Sequence, residues 1–315
     1  MTAILMQLAQ TLLCVAVAPL VTGVVRLVKS RLQGRRGPSP LQPYRDLYRL
    51  LQKEAIVAES ASWLFRAAPY VTFAAVWLAA TVVPTFSTEM PLTPAADLIA
   101  LVALLGLARF FTALAGMDVG TSFGGIGASR EMMIASLAEP AMLMMTFTLS
   151  LLAGSTSPAI IGGFILGGGV GLEVSLALAL VAIVMVAIAE TGRIPIDNPA
   201  THLELTMVHE AMVLEYSGRH LALMEAAGMV RLALYMSLIA AIFAPWGLAQ
   251  PGDGLGALAF GLAAYGAKLA AMAVALAWFE SMIAKMRVFR VADFLGGALL
   301  LAVLATIFLY VSEAV

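Results

Sequence analysis

Apolar residues in this chain come in long blocks separated by short polar ones. Blocks long enough to cross roughly 30 Å of hydrocarbon occur at about Ile4–Val28, Phe65–Phe86, Ala95–Gly116, Met132–Ala153, Leu172–Ala189, Ala226–Trp246, Leu255–Phe279 and Phe294–Val311. The pattern predicts an all-α polytopic membrane protein with about eight transmembrane helices. The run Ala159–Val170 is apolar but short and Gly-rich, and reads as a re-entrant or peripheral piece. Seven or nine spans follow if that piece is assigned differently.

Basic residues give this count an orientation. Eight of the 18 Lys and Arg fall between Lys29 and Arg66, with Arg26 just before them. Arg130, Arg193, Arg219, Lys285, Arg287 and Arg290 occupy three later connections. The alternate connections, Ser87–Pro94, Gly154–Gly171 and Gly247–Gly254, carry none, and neither do the two tails. Eight spans with both termini on the non-cytoplasmic side place every basic loop in the cytoplasm, as the positive-inside rule requires.

Composition agrees. The 315-residue chain is 62% hydrophobic and 12% charged, against about 45–50% and 25% in soluble domains. No polar stretch is long enough for a separate globular domain, so residues 1–315 read as one integral membrane domain with two polar cytoplasmic loops, 29–64 and 190–220. A net charge of −1 without a basic domain gives no sign of nucleic-acid binding. The N-terminus lacks a basic n-region and an evident cleavage site, so it reads as an uncleaved first span.

The first loop is itself patterned. Within LQPYRDLYRLLQKE, Leu47, Leu50 and Leu51 repeat at helical spacing, and Arg45, Arg49 and Lys53 form an i, i+4 row. This predicts an amphipathic helix along the membrane surface, either a basic anchor or a docking face for a partner.

Charges also occur inside the apolar blocks. Glu139 lies eight residues beyond Glu131, about 12 Å along a helix, and is followed by Pro140. Asp97 and Arg109 share the third block, Arg231 lies in the sixth, Lys268 is near the middle of the seventh, and Glu280 and Asp293 flank the last polar turn. Asp97, Glu173 and Asp293 sit where side chains pair or snorkel at helix ends. Glu139, Arg231 and Lys268 lie too deep for that, and ionisable groups at such depth mark ion or proton paths. With Glu280 they lean toward the cytoplasmic half, as a half-channel opening inward would.

The stretch Ala189–Gly218 concentrates polar chemistry: it holds two of the three His residues, Arg193, and Glu190, Asp197, Glu204 and Glu215. Asn198-Pro199 is a helix-start pair and Gly218 a plausible stop, so THLELTMVHEAMVLEYS predicts a helix of about four and a half turns. On it Glu204 and Glu215 share a face, and His202, His209 and Tyr216, spaced by seven, share the opposite one. Such a helix either borders a proton route and a partner or is a polar surface helix. His residues at i and i+7 are too far apart for one metal ion, and no metal site is expected. FGGIGASRE, from Phe123 to Glu131, reads as a turn between spans rather than a dinucleotide loop. The single cysteine, Cys14, can neither form an internal disulfide nor hold an iron–sulfur cluster. The chain is therefore expected to have no redox centre of its own.

Several stretches together resemble the subunit 1 family of respiratory complex I. They are GRRGP near Gly34, LQP…D…KE from Leu41 to Glu54, GASRE at Gly127, AEP at Ala138, AETGRIPID at Ala189 and LEYSG at Leu214. The form DNPATHLELTMVHEAMVLEYSG resembles in particular the homologous subunits of group 4 membrane-bound nickel–iron hydrogenases, of the hydrogenase-4 and formate hydrogenlyase type. The first loop is shorter, and the interval from Asp197 to Glu215 longer, than in the quinone reductases.

The resemblance implies a subunit of an oxidoreductase complex in a bacterial or archaeal cytoplasmic membrane, linking a soluble electron-transfer arm to ion-translocating membrane subunits. Expected partners are hydrogenase large and small subunits, an iron–sulfur subunit and antiporter-like membrane subunits. The nickel–iron centre and iron–sulfur clusters would sit in those partners. Glu139, Glu190, Glu204 and Glu215 would belong to the family's acidic proton path, which Arg231, Lys268 and Glu280 extend. Arg35, Arg36, Arg193, Asp197, His202 and His209 would border the soluble arm. A quinone-site subunit of an NADH:quinone oxidoreductase and a stand-alone ion transporter are the alternatives.

Overall fold

The computed structural model describes residues 2–91, 97–168, 174–197, 207–250, 252–287 and 289–314. Its elements are α1 (Thr2–Leu32), α2 (Gln42–Leu51), α3 (Trp63–Ala80), α4 (Leu98–Asp118), α5 (Ser122–Ala153), α6 (Pro158–Leu166), α7 (Val174–Glu190), α8 (His209–Val213), α9 (Gly218–Phe243), α10 (Leu255–Met282) and α11 (Phe289–Ala314). No strand occurs among the described residues; a single bridge joins Ser87 to Ala249. Among the described residues, seven helices are long and apolar enough to cross a membrane. The eighth expected span is α7, whose described part has 17 residues. Of the Gly-rich run, Ala159–Leu166 lies in α6, nine residues and about 14 Å long.

Helix ends follow local chemistry. Ser62, Asp97 and Thr121 accept hydrogen bonds from the amides of Leu64, Ala100 and Gly124, capping α3, α4 and α5. Asp97, expected near a helix end, is thus a cap, and its other oxygen accepts from Thr156 Oγ1 at 3.2 Å. After α7, Gly192 takes φ +58°. Its amide donates to Ala189 O at 3.1 Å, and that of Arg193 to Ile188 O at 3.0 Å. This is a Schellman closure, and it stops the helix at Glu190.

The bundle is built around α9, the most buried of the seven long helices, whereas α10 is the least buried. Helices α3, α1, α6 and α7 pack on α9; α11 packs on α5 and α7, and α10 mainly on α1. Small residues allow close approach: a Cβ on Gly23 would lie 2.0 Å from Pro40 O, where the first loop folds back on α1. Hydroxyl pairs join helices in the apolar interior, Ser237 with Tyr265 at 2.8 Å and Thr148 with Thr306 at 2.7 Å.

Three local expectations are corrected. FGGIGASRE is not a turn but the first part of α5, which begins at Ser122 rather than Met132. Two of its glycines press the helix onto its neighbours: a Cβ on Gly124 would meet Gly116 O at 1.8 Å, and one on Gly127 would meet Val208 O at 2.9 Å. Gly218 starts α9 rather than ending a helix. The helix expected up to Ser217 is helical, among its described residues, only over His209–Val213; Asn198-Pro199, His202 and Glu204 lie outside the described residues.

Candidate functional site

The position of Glu190 shapes the site. Arg231 lies 13 residues into α9, about 20 Å along it, yet its Nη1 donates to Glu190 O at 3.4 Å. Helix α7 therefore ends level with the middle of α9, and the chain that follows folds back within the bundle. The recess is a chamber of about 590 Å³, bounded by α1, α5, α9, the end of α10, the turn after α7 and α8. Six carboxylates line it (Glu131, Glu190, Asp197, Glu210, Glu225 and Glu280), with four cations, Arg26, Lys29, Arg193 and Arg231, and with His209.

Below the chamber Arg109 is the hub. It projects from the middle of α4 and is only 1% exposed. Its guanidinium reaches three carboxylates: Glu131 at 3.2 Å, Glu139 at 3.7 Å, and Glu190 in direct contact. Glu131 and Glu139 come from α5 and Glu190 from α7, so one planar fork ties three helices. A Cβ on Gly106 would lie 3.2 Å from Glu139 Oε1, so the bare backbone of α4 makes room for that carboxylate. Glu131 and Glu190 are buried, whereas the Glu139 side chain is 41% exposed. Glu190 Oε2 and Arg231 Nε are buried without a hydrogen-bond partner among the described residues, and both residues line the chamber.

A second set of ion pairs closes the polar end. Lys29 Nζ lies 2.9 Å and Arg193 Nη1 3.6 Å from the two oxygens of Glu280. Burial works against the Arg193 charge, and the Glu280 carboxylate offsets it. Asp197 Oδ1 accepts from Lys285 Nζ at 2.9 Å, and its Oδ2 from the amides of Val208 and His209 at 3.2 and 3.3 Å. One carboxylate thereby holds both ends of the stretch 198–206 and the α10–α11 connection. His209 stands at the chamber wall. Burial pushes its imidazole below the ordinary value and Arg231 adds to the effect, while Glu131, Glu225 and Asp197 oppose it.

The sequence-derived candidates fall into separate groups. Glu139, Glu190, Arg231 and Glu280 join the linked network and chamber, as do Arg193, Asp197 and His209. Arg35 and Arg36 are exposed beyond the end of α1. Lys268 is half-buried on α10, away from the chamber, and Glu215 is exposed. His209 and Tyr216 do not share a face. Tyr216 turns toward α3, stacking on Phe65 at 4.0 Å and donating to its carbonyl at 2.9 Å, because aromatic burial and the break after Val213 redirect the chain. Arg109 and Glu131 were not among the candidates, nor were Lys29 and Lys285. For Arg109 the available signal was a buried charge at the depth of Glu139 on a neighbouring span.

These features define a polytopic membrane protein with a charged chamber at one end and a buried arginine–carboxylate network beneath it. The chain belongs to the NADH dehydrogenase family of complex I subunit 1, which it matches over residues 4–311. It is 35% identical over 244 residues to formate hydrogenlyase subunit 4 of Escherichia coli strain K12, with 78% of each chain covered. It is 36% identical over 247 residues to hydrogenase-4 component C of the same strain, covering 78% of this chain and 77% of that one. The corresponding NADH-quinone oxidoreductase chain of Thermomicrobium roseum is 30% identical over 273 residues, covering 74% and 75%. In a solved structure of the membrane-bound sulfane sulfur reductase, an archaeal respiratory membrane complex, one chain matches with a TM-score of 0.79 at 20% identity. That match covers 98% of this chain and 99% of the other, and it is a likeness of fold.

Proposed function

We propose that this chain is the membrane-anchoring, proton-coupling subunit of a group 4 nickel–iron hydrogenase complex in a bacterial or archaeal cytoplasmic membrane. The observation that carries the reading is the continuous set of ionisable groups from the chamber, through Glu190 and Arg109, to the half-exposed Glu139. Carboxylates sharing one guanidinium can exchange protons with the chamber without leaving a bare charge in hydrocarbon. Both termini face away from the cytoplasm, α2 lies along the membrane surface, and the polar end bearing Arg35, Arg36, Arg193 and Asp197 receives the soluble arm. The large and small hydrogenase subunits and an iron–sulfur subunit form that arm and hold the nickel–iron centre and clusters, and antiporter-like subunits lie alongside in the membrane. This chain carries no redox centre.

The test is Glu139→Gln and Glu190→Gln in the assembled complex. Proton translocation falls while hydrogen turnover by the soluble arm persists; undiminished translocation in both variants overturns the assignment. A quinone-site subunit is the second reading, favoured by the relatives from NADH-quinone oxidoreductases and by a chamber large enough for a ring. The chamber wall speaks against it, because ligand pockets are mostly apolar with a few placed polar groups, whereas this one carries ten formal charges. Quinone reduction by the purified complex, blocked by quinone-site inhibitors, would favour the second reading.

A further inference from the structure

Lys268 occupies the midpoint of α10, 13 residues from Leu255 and 14 from Met282. At 1.5 Å per residue that is about 20 Å from either end, beyond the reach of a snorkelling lysine. It is half-buried, and among the described residues it makes no ion pair or hydrogen bond. An ammonium at this depth in hydrocarbon is costly unless it meets an opposite charge.

The surface beside it is equally specific. Ala267, Ala271 and Ala275 are exposed and recur every fourth residue, so they form one stripe adjoining Lys268. Phe260 and Trp278, 67% and 58% exposed, bound the stripe at its ends. In membranes small residues at this spacing let a second helix approach backbone to backbone, and cross-helix polar pairs add to the contact. Helix α10 is the least buried of the long helices, packing mainly on α1, so this face has no neighbour within the described chain.

We infer that this face of α10 seats a transmembrane helix of a partner subunit that carries an aspartate or glutamate at mid-membrane depth, paired with Lys268. The charge specifies the occupant: lipid tails offer no counter-ion at that depth, and a second copy of this face would bring another lysine. Lys268 is thereby a recognition residue on the flank of the subunit and not a step on the route through Arg109. The inference rests on this chain working within a multisubunit membrane complex.

Replacing Ala271 with the photo-crosslinking residue p-benzoylphenylalanine in the intact complex in native membranes tests it. The expected product is an adduct with one partner subunit, mapping to a transmembrane helix that contains Asp or Glu. Adducts with lipid alone, with a second copy of this chain or with a helix lacking an acid overturn the inference, as does the absence of any adduct. Lys268→Met should lower recovery of that subunit on the order of tenfold, because it strands the partner's carboxylate. Neutralising that carboxylate as well should restore most of the recovery; full recovery with Lys268→Met alone also overturns it. If the chain purifies from its membrane without partners, the proposed function fails as well; if the complex is intact and Ala271 meets only lipid, the inference alone fails.

Discussion

Arg109 shows how much one buried charge can organise. Its fork neutralises part of the charge on three carboxylates from two other helices, in a place where none of them could stand alone. Arg109→Met should therefore destabilise the purified subunit by about 3–5 kcal/mol, as for other broken buried pairs. Arg109→Lys should recover little, because a point charge cannot reach three acceptors. Thermal unfolding in detergent measures both, and wild-type stability in the methionine variant would show the network to be dispensable. The same neighbourhood sets a pH dependence through His209, held below its ordinary value by burial. Above about pH 6.5 folded and unfolded chains both carry a neutral imidazole, so the residue contributes no pH dependence. Below that value the unfolded chain takes up a proton that the folded one resists, and stability falls with decreasing pH. His209→Gln should flatten that part of the profile; equal losses between pH 7.5 and 5 in both proteins would remove His209 as the cause. The depth of Glu139 and Arg231 was legible in the sequence, because a charge in an apolar block is visible there. That Arg109 is the shared partner was not, since it depends on how three helices are rotated against one another.

At the scale of elements, hydropathy located the spans well and their ends poorly. Helices α5 and α9 both begin several residues before their apolar blocks, because a helix continues wherever packing holds it, even through glycine or charge. Phe123–Glu131 reads locally as a glycine turn, yet two of its three glycines, Gly124 and Gly127, are the contact surface for the end of α4 and for α8. Gly127→Val should displace α8, because its first added carbon would lie 2.9 Å from Val208 O and 3.0 Å from the Ala211 and Met212 side chains. Gly125→Ala, with nothing within 4 Å, should be tolerated and gain slightly in helix propensity. Limited proteolysis of the 198–213 stretch separates the two, with faster cleavage expected only for Gly127→Val; equal cleavage would mean that α8 does not depend on this contact. Among the described residues, the helix expected through that stretch stops at Val213 for a related reason. Tyr216 gains more by stacking on Phe65 than by continuing a helical row with His209.

For the whole molecule, the telling feature is that the polar end is fastened across the chain's full length rather than within neighbouring segments. Lys29 of α1 meets Glu280 of α10, and Asp197 after α7 meets Lys285 before α11 as well as the amides that start α8. Sequence shows these charges gathered in polar connections but not their pairing, which joins residues up to 251 positions apart. Fastening of this kind would suit the surface proposed above to receive the soluble arm, and it is separate from the Arg109 network and hydroxyl pairs that link the spans. Asp197→Ala tests that division of labour. It removes at least three hydrogen bonds to a charged acceptor, each worth about 1.5–3 kcal/mol, at the end of the bundle proposed to receive the soluble arm. The subunit should still insert and retain its membrane neighbours, while the soluble arm is lost on mild salt washing because Lys285 and the start of α8 are no longer held together. Native gel electrophoresis of the washed complex reads both outcomes at once. An arm that stays bound would assign Asp197 to folding of the loop alone, and loss of the membrane neighbours would show that the polar end also supports the spans.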